Sequence, residues 1–362
     1  MQKIRFSAQV GFHETLQKRV HQYFSASKLP RTGDWRMFLK AGICLTWLAT
    51  SYVLLVFFAT SLITSILTAF ALAQGFILVS CNIMHDGAHE SFSKSKKINW
   101  LMGCTLDFIG GSQMLWRQKH NLLHHTYTNI NALDSDLHKS GMLRLHPEQQ
   151  WWPWYRFQHI YAFPLYSFLS LLWVTFSDFR KFFSGRIGSY KLRKYTALDV
   201  SLFFLTKLFY GGYAVVLPLF FHPFLHVLIA FVAVHLIFGF TLSVVFQLAH
   251  ALESTTFPTP DPHTGTIKNE WAIHEVETTA NFAPRNTLLT WYVGGLNFQI
   301  EHHLFTKICH MHYPAISTIV RETCQEFSLP YVCYPTFGSA IAGHYRFLKT
   351  MGRRPADAGG PL

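Results

Sequence analysis

The sequence is short of charge. Only 14% of its 362 residues are Asp, Glu, Lys or Arg, against roughly 25% in an ordinary soluble domain. Acidic residues are the scarcest, at 19. Aromatics reach 16%, including 34 Phe, which excludes a disordered chain, since such chains are charge-rich and aromatic-poor. Cysteine is sparse as well. Cys44, Cys81, Cys104, Cys309, Cys324 and Cys333 are too few for a disulfide-dense miniprotein. None forms a C-x-x-C pair, so neither a zinc ribbon nor a thioredoxin motif is present. Residues 1–40 are polar and basic with no apolar run at their start, unlike a cleavable signal peptide. A reduced, cytosol-facing protein fits these absences.

The long apolar runs come next. No charged residue occurs from Ala41 to Met84. As one helix that stretch would run about 66 Å, roughly twice the hydrocarbon thickness of a bilayer. A helical hairpin is expected instead, about Ala41–Phe58 and Leu62–Cys81. A second apolar block, broken by Pro218 and Pro223, reads as a second hairpin, about Val200–Phe220 and Phe224–Leu248. Lys207, the one charge in that hairpin, is expected to snorkel to the surface. Leu101–Trp116 and Ile160–Phe176 read as in-plane or half-buried helices.

The net charge of +12 is explained by placement. Thirty of the 31 Lys and Arg lie in 1–40, 82–159, 178–199 and 250–362, and none in the hairpin turns. The positive-inside rule then puts both termini, the central region and the C-terminal region in the cytosol. The basic surplus becomes topology and contact with membrane lipids, and nucleic-acid binding drops out because no single basic stripe exists.

Histidine is in excess: 21, more than the acidic residues. Three clusters stand out, His85-x3-His89, His120-x3-His124-His125, and Gln299-x2-His302-His303. One H-x-x-x-H pair is expected roughly once by chance in such a chain, whereas the second pattern is expected about 0.1 times. All three lie on the expected cytosolic side. On a helix, i and i+4 share a face, so His85 with His89 and His120 with His124 are each expected to grip one ion. His125 is rotated about 100° from His124 and can reach a second ion, and the adjacent His302 and His303 likewise diverge by about 100°, which suits two neighbouring metals. Gln299 shares the face of His303, and His250 arrives at the end of the fourth apolar helix. That makes eight imidazoles: His85, His89, His120, His124, His125, His250, His302 and His303. All-nitrogen ligation suits iron, copper, zinc or nickel. Zinc ordinarily takes three or four ligands, so two irons with open positions for O2 is the most coherent reading. The other histidines have ordinary readings. His222 and His226 are interfacial, His235 makes a buried hydrogen bond, and His13, His21, His138, His159 and His263 lie on the surface or in loops. Asp134 and Asp136 are expected to be solvated rather than to orient the histidines. Trp116 and Trp271 are read as an interfacial belt ahead of tunnel walls.

Two hairpins with three histidine boxes resemble the membrane-bound fatty acid desaturases. The likeness covers nearly the whole chain. Met84-His-Asp-Gly-Ala-His89, His124-His-Thr-Tyr-Thr-Asn129, Arg144-Leu-His-Pro-Glu148, Arg156-Phe-Gln-His-Ile-Tyr161 and Phe246-Gln-Leu-Ala-His250 are similar to the bacterial linoleoyl-CoA-type branch. So are Trp271-Ala-Ile-His274, Thr278-Thr-Ala-Asn-Phe282 and Cys309-His-Met-His-Tyr-Pro314. Gln299, where many desaturases carry a histidine, is similar to the front-end, Δ6-like enzymes. Glu90 and Thr306 depart from the common pattern at positions that are not expected ligands.

The resemblance implies an all-α integral membrane protein with two transmembrane hairpins, interfacial helices and a cytosolic helical cap holding a His-rich di-iron site. It implies a single desaturase domain over 1–362. The N-terminal segment would be 1–40 and the first hairpin 41–81. Residues 82–199 would carry boxes 1 and 2, 200–249 the second hairpin, and 250–362 box 3. It implies insertion of a cis double bond into a fatty acyl chain, as acyl-CoA or acyl-lipid, using two iron ions and O2. The eight histidines would be the iron ligands, with Gln299 a further candidate. No His-Pro-Gly-Gly string of a fused cytochrome b5 occurs, so electrons would come from a separate cytochrome b5 or ferredoxin. The membrane would be the bacterial inner membrane, or the endoplasmic reticulum in a eukaryote. Other readings are a hydroxylase or acetylenase on the same scaffold, a metal transporter, or a lipid-sensing structural protein. A transporter would carry ionisable ligands near mid-membrane, whereas these sit to one side.

Overall fold

The computed structural model describes residues 4–137 and 141–355; His138 falls outside them. The chain is mostly helical. Among the described residues four helices are long and apolar enough to cross a membrane: Trp35–Phe58, Leu62–Ala88, Ala197–Leu219 and Phe224–His250. Their starts are written in local chemistry. The Asp34 carboxylate accepts from the Arg36 N–H, and Ser61 and Thr196 form reciprocal caps with Thr64 and Asp199. Pro153–Tyr166 and Phe168–Ser184 form a further pair, bent by 67°.

The four long helices fall within three residues of the expected bounds except at two ends. The first helix begins at Trp35, not Ala41, because it absorbs Arg36 and buries Lys40. The second runs on to Ala88, past the expected Cys81, through a π-helical turn at Ser80–Met84. His85 is therefore part of that span's last turn. Lys207 also corrects an expectation. It does not reach the surface: its Nζ lies 2.9 Å from Asp178 Oδ2 and 2.6 Å from the Gly110 carbonyl oxygen. The carboxylate partner is 29 positions away in sequence, so hydropathy around Lys207 gave no sign of it. His235 does make buried hydrogen bonds, to Ser170 Oγ (2.8 Å) and Tyr210 Oη (2.6 Å).

Short helices outside the four long ones share a core of their own. Helix Phe12–Ser27 buries Phe12, Leu16, Val20 and Phe24, one every four residues. That stripe packs on Tyr313, Ile316 and Val320 of helix Tyr313–Glu326. Each such side chain contributes about 1.5–3 kcal/mol by leaving water. Two parallel strand pairs pin distant segments together, Arg5–Phe6 with Thr266–Ile267 and Asn281–Phe282 with Cys333–Tyr334. Two glycines permit close approach. A Cβ on Gly239 would strike the Ser167 carbonyl, where the fourth span meets the bent pair. Gly294, at φ +60°, sits against the Cys81 carbonyl and turns the chain toward the third histidine cluster.

Candidate metal centre

Four elements deliver the histidines, one of them the helix Phe224–His250, which ends on His250. The end of Leu62–Ala88 carries His85 and leads to His89. Helix Gln299–Leu304 carries His302 and His303. The segment Gln118–His124 is π-helical. In a π turn, hydrogen bonds run from i to i+5, which brings residues five apart toward one face, whereas on an α-helix they sit about 140° apart. His120 and His125 accordingly face each other, with their Nε2 atoms 3.1 Å apart. This corrects the expected pairing of His120 with His124. His120 instead joins His85, His89 and His302, while His124 joins His250 and His303. A third grouping, His125 with His302 and His303, lies between them. Within each group the ligating atoms lie within 4.8 Å of one another. All eight rings are buried.

The rings are held from behind. His124 Nδ1 lies 3.1 Å from Asp134 Oδ2, His303 Nδ1 2.6 Å from Glu275 Oε2, and His250 Nδ1 3.3 Å from the Thr278 carbonyl. His302 Nδ1 pairs with the Tyr313 hydroxyl at 3.1 Å. This arrangement fixes each tautomer and turns the opposite nitrogen inward. Nε2 of His85, His89, His250, His302 and His303 is buried without a hydrogen-bond partner. An unpartnered buried polar atom costs about 1–3 kcal/mol, so five converging ones fit a cation. The residues present thus suit a metal pair with nitrogen ligands.

Electrostatics agree. Burial, then the neighbouring imidazoles, drive His120, His125, His302 and His303 well below the ordinary histidine range. They stay neutral and keep their lone pairs. At His124 burial pulls down, but the Asp134 carboxylate outweighs it and raises the pKa. Burial pushes Glu275 well up; a cation on His303 Nε2 would place the ring proton on Nδ1 and favour the ionised carboxylate.

Asp134 is buried on His124, so it is not a solvated loop carboxylate. Gln299 opens the helix that carries His302 and His303 and is buried with its Nε2 unpartnered. Trp116 stacks on His120 (centroids 4.2 Å apart) and lines a cavity, as a wall rather than a belt. Trp271 donates its indole N–H to the His125 carbonyl at 3.1 Å. Sequence reasoning missed Glu275, which directly follows the quoted His274. It also missed a buried chain outside the ligand set. Lys40 Nζ lies 2.9 Å from His310 Nε2, and His310 Nδ1 2.9 Å from Asp86 Oδ2. Asp86 Oδ1 is 4.0 Å from His85 Nδ1.

The cavity beside this cluster has a volume of about 720 Å³. His85, His120, His124 and His250 line it, together with apolar side chains such as Leu169, Trp173, Leu242 and Phe246. A buried imidazole cluster opening on a cavity of that size fits a metal beside an aliphatic chain. The fatty acid desaturase family model matches residues 63–335. The chain belongs to the fatty acid desaturase family. It is 39% identical over 355 residues to the sn-1 linoleoyl-lipid 6-desaturase of Synechocystis, covering 97% of this chain and 98% of that protein. It is 36% identical to the protein of the same name from Arthrospira platensis, covering 98% and 96%. It is 40% identical to the acyl-lipid (8-3)-desaturase of Physcomitrium patens, covering 94% and 72%. In this desaturase Glu90, the departure after the first box, adopts φ +62° and reaches Arg117 (3.2 Å) and Lys307 (3.8 Å). It thereby ties segments of all three boxes together at the surface.

Proposed function

We propose that this desaturase inserts a cis double bond at the Δ6 position of an acyl chain carried on a lipid. The observation that carries the reading is the set of eight buried imidazoles, five with unpartnered Nε2 atoms, beside a largely apolar cavity. The names of the relatives, two linoleoyl-lipid 6-desaturases and an acyl-lipid (8-3)-desaturase, support a lipid-borne substrate and front-end chemistry.

In this reading His85, His89, His120 and His302 would hold one iron, His124, His250 and His303 would hold the other, and His125, grouped with His302 and His303, would complete the set. Gln299, on the helix of His302 and His303, is a further candidate ligand. When bound, the iron pair supplies the O2-derived oxidant that an unactivated methylene demands. Two hydrogens from the chain, two electrons from a separate donor (a cytochrome b5 or ferredoxin) and two protons from solvent reduce O2 to two waters. The chain's own residues do the rest. Asp134, Glu275, Thr278 and Tyr313 orient the ligands. Trp116, Leu242 and Phe246 exclude water and hold the acyl chain. Carbons repeat every ~1.25 Å along it, so errors of about an ångström in pose change the position attacked. All of 1–362 acts as one unit, with both termini in the cytosol, in a bacterial inner membrane.

Expression in a host of known fatty acid composition tests this reading, by locating the double bond in new product. A bond at Δ6 of lipid-bound linoleate supports it. A hydroxylated or acetylenic product, or no product, contradicts it. His124→Ala abolishes product while leaving membrane insertion intact, and wild-type turnover in that variant would refute the ligand assignment.

A further inference from the structure

The cavity has a charged mouth that the metal chemistry does not use. Lys119, Arg180, Lys181 and Arg186 line it, against two acids, Asp134 and Asp136. Both acids are engaged: Asp136 pairs with Lys119 at 2.5 Å and Asp134 with His124 at 3.1 Å. Lys181 lies 3.9 Å from Asp178, which also holds Lys207. Arg180 and Arg186 have no carboxylate partner among the described residues. Arg180 lies over the Phe176 ring at 5.7 Å, and Arg186 donates to the Ser189 carbonyl at 3.2 Å. Two exposed guanidiniums at the mouth of an otherwise apolar cavity are suited to a phosphate, which they can grip in a bidentate manner.

We propose that Arg180 and Arg186 hold the phosphate of a phosphoglyceride whose acyl chain lies in the cavity, so that the substrate is an anionic phospholipid rather than a neutral glycolipid. This rests on the desaturase reading and names its substrate class. A lipid is favoured over a soluble thioester because the segment carrying Arg180 exposes Phe176 and Phe183, at 58% and 71%. Such a segment sits in a bilayer interface with its cations at the headgroup level. The placement also accounts for front-end chemistry. Asp136, partner of Lys119, lies 3.8 Å from His124 Nδ1, so the charged mouth adjoins the ligand cluster. A chain anchored there presents carbons close to its carboxyl end.

The test is lipid retention by the purified full-length enzyme in native mass spectrometry, read without turnover. The protein is offered equal amounts of linoleoyl phosphatidylglycerol and linoleoyl monogalactosyldiacylglycerol. The expected result is roughly tenfold preference for the phospholipid. That preference disappears in the Arg180→Gln/Arg186→Gln double variant and survives in Arg180→Lys/Arg186→Lys. Equal retention by wild type, or an unchanged preference in the Gln variant, overturns the proposal. So does displacement of the phospholipid by equimolar linoleoyl-CoA, which would assign the phosphate contact to a thioester. A desaturase that fails to desaturate leaves this binding result standing, so the two readings fail separately.

Discussion

Glu275 is the most informative single carboxylate in the molecule. Its Oε2 lies 2.6 Å from His303 Nδ1 and 2.9 Å from Thr128 Oγ1, with both Glu275 and His303 fully buried. Glu275→Leu removes the acceptor and leaves the ring free to turn. Loss of such a partner typically costs 10–100-fold in metal affinity, about 1.4–2.8 kcal/mol. Burial here allows no water to replace the carboxylate, so Leu belongs at the upper end, about 100-fold. In Glu275→Gln the amide oxygen still accepts from Nδ1 but brings no charge, so about tenfold is expected. The assay is competition with an iron chelator, following iron released per chain as chelator rises. Half-release should move to lower chelator concentration in the order Leu, Gln, wild type. Iron retention identical to wild type in both variants, alongside loss in His303→Ala, would refute the idea that this carboxylate sets the ligand.

Three further outcomes follow from the packing. Lys40→Met strips the cation from the buried Lys40–His310–Asp86 chain; breaking such a pair costs about 3 kcal/mol, and an unchanged Tm would contradict the chain. Gly294→Ala forces a side chain into φ +60° and against the Cys81 carbonyl, a strain of at least about 1 kcal/mol; Tm and iron content should both fall, and a variant with both unchanged refutes the close approach. His344 is buried between the Tyr166 hydroxyl (2.8 Å) and the Ala251 carbonyl (2.7 Å), and burial lowers its pKa to about 4. An unfolded imidazole protonates near 6.5, so this group weakens the fold as pH falls from there toward 4. His344→Gln should flatten that part of the Tm–pH curve, and an identical curve counts against it.

The hairpins were legible because apolar length is a one-dimensional signal. So was the gathering of the eight histidines: seven lie in three short clusters, and His250 ends the fourth apolar helix. Their grouping was not. Spacing by four assigns His120 to His124 only on a regular helix, and a π turn at Gln118–His124 breaks that rule. Long-range polar partners were also hidden. Lys207 with Asp178, Lys40 with His310, and His303 with Glu275 join segments 29, 270 and 28 positions apart. Nothing local to either partner announces the other. Asp134 was misjudged for the same reason: a carboxylate in a polar loop reads as solvated until the fold buries it on His124.

The central claim is a pair of irons held by eight imidazoles. Metal analysis of the purified full-length protein by inductively coupled plasma mass spectrometry tests it most directly. The account expects close to two irons per chain, falling sharply in His124→Ala and His302→Ala. A protein that carries zinc alone, or that keeps its full iron in those variants, would contradict it.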